Sequence, residues 1–403
     1  MRILVISKLL PSAGGVSGAQ IVFNRIKCLL ELGHIIDVLC FIPAQSHDGP
    51  ALEHLRGLVR RLEVLPEPKR LNPLRCGVFN VFSRVPYPFC LATSWAMSRK
   101  VSELVRQERY HVAVAEFSEM GQYLYGNLSL IAVRRVVSCH ECRTASWARA
   151  MRVHMWRYGG VGKRLNFRRL RRYEFDMYRN MDHVLALTSQ ERHELLKYAP
   201  NLRVSVASPG VNLPPPIKPA RPPGRCLLFV GCYANEANRD AVNWFARAIW
   251  PALKERYPDL VFYVVGYGVT PDIRELGRRD PGIIVTGAVE DLRPYLAKAR
   301  VFICPFRMGG GFHVKNLEAM AAGVPVVSTS IGAAGIPSWD GESILLADSP
   351  RQFFRCVSLL LDDPGVCQAL AERARPLVQR FFTSAHEQQV LSKVLNDIMR
   401  EER

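Results

Sequence analysis

Short apolar runs alternate with longer amphipathic segments through most of the chain. The first cycle consists of an apolar run, Ile3–Ile6, a segment with helical period, Ala19–Leu32, and a second apolar run, Ile35–Phe41. Runs of this kind between turn residues are typical of buried strands, and strands that alternate with helices predict a parallel sheet. The pattern starts again at Cys226–Gly231. The sequence therefore predicts an α/β protein built from two Rossmann-like, doubly wound domains.

A proline-rich segment separates the two halves of the chain. Six prolines lie between Leu213 and Pro223, and such a composition is typical of a stiff connector without helix. We predict an N-terminal domain over residues 1–207, a linker over 208–224 and a C-terminal domain over 225–382.

One stretch of the C-terminal half combines a strand, a glycine turn and a helix. The apolar run Val301–Cys304 is followed by Gly309, Gly310 and Gly311 and then by a helical segment that starts near His313. Glycine permits close approach of the backbone to a ligand, and a helix N-terminus presents free N–H groups with positive partial charge. Arg307 and Lys315 add two full charges beside the turn. This arrangement predicts a seat for two linked phosphates.

A carboxylate lies one turn further along the predicted helix. Glu318 could accept hydrogen bonds from the diol of a sugar. The alternative interpretation is an ordinary strand–turn–helix connection whose lysine and glutamate are merely solvated, since glycine turns of this kind are common.

Positive charge is concentrated in the first half of the chain. The net charge is +18, and residues 1–200 carry 30 Lys and Arg against 16 Asp and Glu. The densest basic segment is Arg149–Arg179, with Leu165, Leu170 and Phe175 at helical spacing and therefore predicted to face inward. Such a face favours an anionic partner: a lipid surface, a lipid-diphosphate acceptor, or nucleic acid. A solvated arginine-rich helix is the other interpretation. No recognised RNA-binding motif occurs, so we do not expect nucleic acid.

The cysteines indicate a reducing compartment. Eleven cysteines are scattered, mostly through apolar segments, which is typical of reduced thiols in a cytoplasmic protein. No apolar run reaches the roughly 18 residues of a membrane-spanning helix, so we expect a cytoplasmic protein, peripheral to the membrane at most. The close pair Cys139 and Cys142 lacks a second pair of ligands, and no Asp-x-Asp triplet occurs. We therefore expect no metal and no cofactor.

The stretch that begins at Pro305 resembles the donor-nucleotide motif of retaining GT-B glycosyltransferases of family 4, in the subgroup with the pattern P-x-R-x-G-G-G-x-x-x-K-x-L-E-A-M-A. The resemblance implies a GT-B fold, with two Rossmann-like domains facing across a cleft and a final helix, 383–403, that completes the N-terminal domain. It implies transfer of a sugar from a nucleotide-sugar donor to a glycan or lipid-linked acceptor, with retention of configuration, in cell-envelope polysaccharide synthesis.

The same resemblance assigns roles to the residues of the stretch. Glu318 is the second of two family glutamates and contacts the ribose, while Arg307, Lys315 and the glycine turn hold the diphosphate. The first glutamate falls on Gly310, which has no carboxylate, and this departure leaves the sugar specificity open.

Other positions are assigned by the resemblance alone. His140, at the end of a strand, faces the transferred sugar. The backbone from Gly287 to Val289 holds the base, and Arg239 lies near the donor phosphates. Gly15, in the first glycine turn, faces the diphosphate or the acceptor.

Three other functions remain open from the sequence. Gly310 in place of a glutamate is compatible with a non-catalytic GT-B-like partner subunit. The basic N-terminal half is compatible with a nucleic-acid-directed glycosyltransferase. A GT-B-like epimerase or phosphorylase would turn over a sugar without a glycan acceptor.

Overall fold

The chain forms two compact units, each of which is described by itself. The computed structural model describes residues 1–13, 17–42, 49–68, 85–153, 161–211, 225–308, 312–336 and 340–401. The first unit comprises Met1–Gly210 with Ser384–Arg403, and the second comprises Val211–Gly309 with His313–Thr383.

The first unit is built on a parallel sheet. Its strands are β1 Arg2–Ser7, β2 Ile35–Ile42, β3 Arg61–Pro66, β4 Val112–Glu116, β5 Arg134–Cys139, β6 His183–Ala186 and β7 Val204–Val206. They are arranged in the order β3-β2-β1-β4-β5-β6-β7, and every neighbouring pair is parallel. The central strands β1 and β4 are buried on both faces, which explains their uninterrupted apolar sequence.

Helices cover both faces of this sheet. They are α1 Ser17–Glu31, α2 Gly49–Leu58, α3 Trp95–Gln107, α4 Arg143–Val153, α5 Val161–Arg179, α6 Ser189–Tyr198 and α14 Ser384–Arg400, with short 3-10 turns at Phe89–Ala92, Ser118–Tyr123 and Leu128–Leu130. Helix α14 belongs to this unit because its buried stripe packs with that of α1. The two stripes are formed by Leu391, Val394, Leu395 and Ile398 and by Val22, Ile26 and Leu29.

The second unit repeats the same topology. Its strands are β8 Cys226–Val230, β9 Val261–Val265, β10 Ile283–Gly287, β11 Val301–Cys304, β12 Val326–Ser328 and β13 Leu345–Leu346. They are ordered β10-β9-β8-β11-β12-β13, again with parallel neighbours. The helices are α7 Glu236–Ala248, α8 Trp250–Arg256, α9 Pro271–Arg279, α10 Arg293–Lys298, α11 Val314–Ala322, α12 Pro350–Asp362 and α13 Pro364–Phe381.

The basic helix α5 differs from the sequence prediction. Leu170 and Phe175 are buried, but Leu165 is 56% exposed, so its predicted inward orientation is wrong. The buried stripe instead passes through Asn166, Leu170 and Glu174 at i, i+4 spacing, because neighbours on one helix face are three or four residues apart.

Two helix ends show how local side chains set the boundaries. The sequence favours Ser189 as the N-cap of α6, but the cap is Thr188, whose hydroxyl accepts from the Glu191 N–H at 2.9 Å. In the second unit, Gly323 closes α11 with a φ of +84°, a conformation that glycine adopts without the cost of a Cβ. Within the described residues no helix is both long and apolar enough to cross a membrane.

Candidate functional site

Each sheet contains one point where the order of its strands reverses. In the first unit this point lies between β1 and β4, and in the second between β8 and β11. The connections on the two sides of such a point run to opposite faces of the sheet, which leaves a crevice at the carboxyl ends of the strands. These two strand ends are therefore the candidate sites.

In the second unit, two glycines bring the loops after β8 and β9 into direct contact. Gly266 has a φ of +137°, and a Cβ there would lie only 1.8 Å from the carbonyl oxygen of Gly231. The buried Tyr233 ties the same loops together, because its hydroxyl donates to the Val265 carbonyl at 2.9 Å. The backbone beside β8 is thus fixed before any ligand binds.

Lys315 lies in the first turn of α11, half-buried against aromatic rings. Its Nζ donates to Asn238 Oδ1 at 2.9 Å and lies 4.7 Å and 4.8 Å from the ring centres of Phe229 and Phe306. Burial disfavours the charged amine and lowers the pKa of Lys315 from 10.5 to about 8. The lysine is therefore a cation in a site that solvates it poorly.

Arg307 follows β11 and supplies the second positive charge. Its Nε and Nη2 donate to the two carboxylate oxygens of Asp240 at 3.1 Å and 2.6 Å, and the guanidinium lies 5.3 Å from the Trp244 ring centre. Asp240 and the lysine partner Asn238 both belong to α7. One helix therefore positions both of the predicted phosphate-binding cations.

Glu318 and His313 are two further side chains of this site, and only Glu318 was predicted from the sequence as a site residue. Burial raises the pKa of Glu318, one turn after Lys315, although the lysine charge opposes this shift. His313, just before α11, stacks on Phe306 with ring centres 4.3 Å apart. Its buried Nε2 has no hydrogen-bond partner among the described residues, and burial lowers its pKa to about 3. The sequence analysis places His313 near the start of a helix and predicts no function for it.

The remaining predicted donor positions are dispersed. Arg239 Nη1 donates to the Tyr233 carbonyl at 3.3 Å. Gly287 ends β10 with a φ of +76° and has open space where a side chain would be, and Val289 lies half-buried in the loop that follows. Gly309, Gly310 and Gly311 lie outside the described residues, as does Gly15.

In the first unit, His140 lies directly after β5. Its Nε2 is 2.8 Å from Glu116 Oε2, at the end of β4, and its ring packs on Phe117 with ring centres 4.0 Å apart. Burial lowers the pKa of His140, while the hydrogen bond to Glu116 opposes this shift. The histidine is thus a buried ring, 8% exposed, at the carboxyl edge of the sheet.

Glu116 belongs to a buried network that was not predicted from the sequence. Arg25 Nη1 donates to both Glu116 oxygens at 3.2 Å and 3.1 Å, and its Nε donates to Glu387 Oε1 of α14 at 2.8 Å. Glu387 Oε2 in turn accepts the Gly210 N–H at 2.7 Å. Burial by itself would raise the pKa of Glu116, but the Arg25 charge and the His140 hydrogen bond lower it to about 2.

A second ionic cluster lies beside His140 at the same edge. Glu119 accepts from Lys8 at 2.9 Å and from Arg143 at 2.6 Å. Burial opposes the charge of Glu119, yet the two cations hold its pKa well below the usual range. Within the described part of the chain, no group of three or more His, Cys, Asp or Glu could hold a metal ion.

Two family models match the chain. Residues 224–363 match the model described as glycosyl transferases group 1, and residues 18–210 match the glycosyl transferase 4-like domain. The chain belongs to the group 1 glycosyl transferases. This confirms the family resemblance that the sequence indicated.

Two relatives of this glycosyl transferase illustrate the match. A phosphatidyl-myo-inositol mannosyltransferase of Mycolicibacterium smegmatis is 28% identical over 42% of this chain and 44% of its own length. A D-inositol 3-phosphate glycosyltransferase of Thermobispora bispora is 30% identical over 51% of this chain and 53% of its own length. The chain thus spans about half the length of the curated relatives it matches.

Solved structures show the same fold. The sucrose-phosphate synthase of Thermosynechococcus elongatus matches with a TM-score of 0.73 and 15% identity over 99% of both chains. Anabaena HepE in complex with UDP and glucose matches with a TM-score of 0.69 and 14% identity over 98% of this chain and 100% of that one. The predicted GT-B class, with two parallel α/β domains, is confirmed.

Proposed function

We propose that this protein transfers a sugar from a nucleotide-diphosphate sugar to a glycan or lipid-linked acceptor, with retention of configuration, in cell-envelope polysaccharide synthesis. The observation that carries the proposal is the pair of cations Arg307 and Lys315 at the strand-order reversal of the second unit, both held by α7. The relatives support it, because their names describe mannosyl and glycosyl transfer to inositol-containing acceptors.

The two cations suit the chemistry of the leaving group. Negative charge develops on the nucleoside diphosphate as the bond to the sugar breaks, and fixed positive charges in a poorly solvated site stabilise that charge strongly. A bound diphosphate would place negative charge beside Lys315, whose ammonium group is poorly solvated. It would also interact with the guanidinium of Arg307, which already forms an ion pair with Asp240. These residues can act without a metal, and we expect none to be required.

Glu318 and His140 are assigned to the sugar portions of the donor. In the proposal Glu318 accepts from the ribose hydroxyls, since the oxygens of its half-buried carboxylate can accept hydrogen bonds from neutral hydroxyl groups. Position 310 is a glycine and supplies no carboxylate, so recognition of the transferred sugar depends more on His140. The proposal also keeps the roles that the family resemblance implies for Arg239, for Gly287 and Val289, and for the glycine turns.

The donor site is tested by titration calorimetry with UDP, GDP and ADP. We expect Arg307→Ala and Lys315→Ala each to weaken binding of the preferred diphosphate about tenfold or more, because each removes a charge-assisted contact. Lys254→Ala is the matched control: this lysine also lies over an aromatic ring in the second unit, at 5.7 Å from the Trp250 ring centre, but donates only to backbone carbonyls. Unchanged affinity in both site variants would refute the assignment.

Turnover distinguishes the competing functions. Transfer to an acceptor supports the proposal, whereas sugar conversion without an acceptor would favour an epimerase or phosphorylase. Binding of nucleotide sugars with neither transfer nor hydrolysis would favour a non-catalytic subunit, as Gly310 in place of a glutamate allows.

The exposed face of α5 supports a peripheral position on an anionic membrane. Arg164, Arg168, Arg171 and Arg172 are exposed around the exposed Leu165, and each basic residue near an anionic lipid surface contributes about 1 kcal/mol. We expect sedimentation with phosphatidylserine vesicles but not with neutral ones, and its loss when the four arginines become serine. Tighter retention by RNA than by vesicles at the same salt would favour the nucleic-acid alternative.

A further inference from the structure

Tyr267 is an open aromatic side chain at the carboxyl end of β9. It is 42% exposed, which makes it the most exposed aromatic residue among those described in the second unit. Tyr233 of the neighbouring loop, by contrast, is fully buried. The carboxyl ends of the strands are where open α/β sheets bind their ligands. An aromatic ring left open at this edge is therefore available to a ligand.

The backbone of Tyr267 is held between two glycines. Gly266 and Gly268 have φ values of +137° and +69°, and a Cβ at Gly268 would lie 3.0 Å from the Ala234 backbone nitrogen. The Tyr267 carbonyl also accepts the N–H of Tyr233 at 2.9 Å. The loops after β8 and β9 therefore pack so closely that the position of Tyr267 is set before a ligand binds.

The side chain of Tyr267 is anchored at its hydroxyl and open along its ring. Burial raises the pKa of the Tyr267 phenol, and a hydrogen bond with the Cys232 side chain adds to this rise. Cys232 in turn interacts electrostatically with Lys315, so the hydroxyl end of the tyrosine lies on the side of the predicted phosphate seat. A hydroxyl alone cannot account for an exposure of 42%, so part of the ring is accessible.

Open space lies on the other side of Tyr267, at the end of β10. The Gly266 N–H donates to the Gly287 carbonyl at 2.9 Å, and a Cβ at Gly287 would meet no described atom within 4 Å except its own chain neighbours. The strand order β10-β9-β8-β11 places β9 between this space and the phosphate seat. Neighbouring strands are about 4.8 Å apart. A ligand that occupies both places must therefore pass over the end of β9, where Tyr267 lies.

We propose that Tyr267 is the stacking platform for the nucleobase of the donor, with the base lying on the open face of the tyrosine ring. The inference rests on the proposed glycosyl transfer, because it requires a nucleoside diphosphate whose phosphates bind at Arg307 and Lys315. Every base has an aromatic face, so stacking strengthens binding without choosing among bases. Choice among bases then comes from hydrogen bonds at the edge of the base, which the backbone of Gly287 to Val289 can supply.

Calorimetry with and without a base separates stacking from phosphate binding. UDP, GDP, ADP and inorganic pyrophosphate are titrated into the wild type and Tyr267→Ala. We expect the variant to bind each nucleoside diphosphate about ten- to hundredfold more weakly, as is typical for loss of one base–aromatic stack. The order of preference among the bases and the affinity for pyrophosphate should stay unchanged. An equal loss of affinity for pyrophosphate, or a reversed base preference, would overturn the inference.

Two further variants control for the hydroxyl and for the loss of a tyrosine elsewhere in the unit. Tyr267→Phe keeps the ring but loses the hydrogen bond to Cys232, so it should recover most of the nucleotide affinity that Tyr267→Ala loses. Tyr295→Ala removes a half-buried tyrosine of α10 that packs edge-to-face on Tyr263, with ring centres 5.7 Å apart, and should leave the affinity unchanged. Binding by Tyr267→Phe as weak as that by Tyr267→Ala would assign the effect to the hydroxyl and reject stacking.

Stacking can also be observed directly and without turnover. In protein labelled with ¹³C-tyrosine, the ring signals of Tyr267 are assigned by their loss in Tyr267→Phe. The preferred nucleoside diphosphate should shift the ring proton signals upfield, whereas pyrophosphate should not. Bound nucleotide without an upfield shift would disprove stacking and leave the donor site intact. A wild type that binds no nucleoside diphosphate would instead contradict the proposed function itself.

Discussion

Replacement of Lys315 by methionine should stabilise the second unit and remove its response to a nucleoside diphosphate. Burial lowers the pKa of this lysine from 10.5 to about 8. At about 1.4 kcal/mol per pKa unit, the charged amine destabilises the ligand-free protein by about 3 kcal/mol below pH 8. Methionine keeps the stem against Phe229 and Phe306 but loses the hydrogen bond to Asn238, which costs about 1 kcal/mol. The net gain is about 2 kcal/mol.

The difference in stability between the wild type and Lys315→Met should depend on pH. Between pH 8 and 10.5 the unfolded lysine still binds a proton that the folded lysine has lost, so wild-type stability rises with pH relative to the variant across this window. The advantage of Lys315→Met should therefore be largest at pH 7 and vanish between about pH 9 and 10. Above about pH 10.5 the variant should be less stable than the wild type by about 1 kcal/mol, the cost of the lost hydrogen bond to Asn238.

Hydrogen exchange of peptides from β11 and α11 is the suitable assay, because two units need not unfold together. UDP should slow exchange in the wild type far more than in the variant. The control Lys254→Met removes hydrogen bonds to the Pro258 and Leu260 carbonyls and should lower stability without affecting the UDP response. A Lys315→Met protein less stable than the wild type at pH 7, or an advantage independent of pH, would refute the reasoning.

Four other substitutions, one of them a control, test interactions within each unit. Arg25→Met leaves two buried carboxylates without their cation and should destabilise the first unit by about 3–5 kcal/mol in urea unfolding. Burial raises the pKa of Glu191 to about 7. Its stabilising contribution is therefore complete below about pH 4.5 and is lost as the pH rises through 7. Glu191→Gln should make the free energy of unfolding less dependent on pH across that range. Gly266→Ala forces a Cβ to within 1.8 Å of a backbone oxygen and should prevent folding of the second unit. The control is Gly341→Ala, at a position with a φ of +82° and open space around it. It should lower stability by only about 1–2 kcal/mol in urea unfolding.

Much of the fold could be predicted because it follows from local pattern. The buried strands β1, β8 and β11 are apolar runs, and Gly323 marks the end of α11 as glycine commonly does. The inward orientation predicted for Leu165 is wrong because the helical period defines a buried stripe only to within one residue on either side. The N-cap was misplaced for a similar reason, since Thr188 and Ser189 are both competent caps and only the geometry distinguishes them.

The partners of the site residues were much less predictable. Arg307 and Lys315 were visible as charges beside a glycine turn, but Asp240 and Asn238, which hold them, lie more than 60 residues earlier. Pairings over such separations depend on tertiary packing, which periodicity does not encode.

Two signals for the first-unit network were nevertheless present in the sequence. Arg25 lies four residues after Ile21 and four before Leu29, within the apolar stripe of α1, and Glu116 ends a strand that is otherwise apolar. A buried charge in such a position needs a partner. Together they indicate an internal ion pair, although not its link to His140.

The position of Glu387 determines when the first unit can be completed during biosynthesis. This carboxylate belongs to the same buried cluster as Arg25 and Glu116, yet the ribosome delivers it only after the whole second unit has been translated. Until then the nascent N-terminal segment has an arginine with half its counterions and an uncovered apolar stripe on α1. Premature termination anywhere before α14 should therefore yield an aggregation-prone fragment rather than a shortened but folded domain.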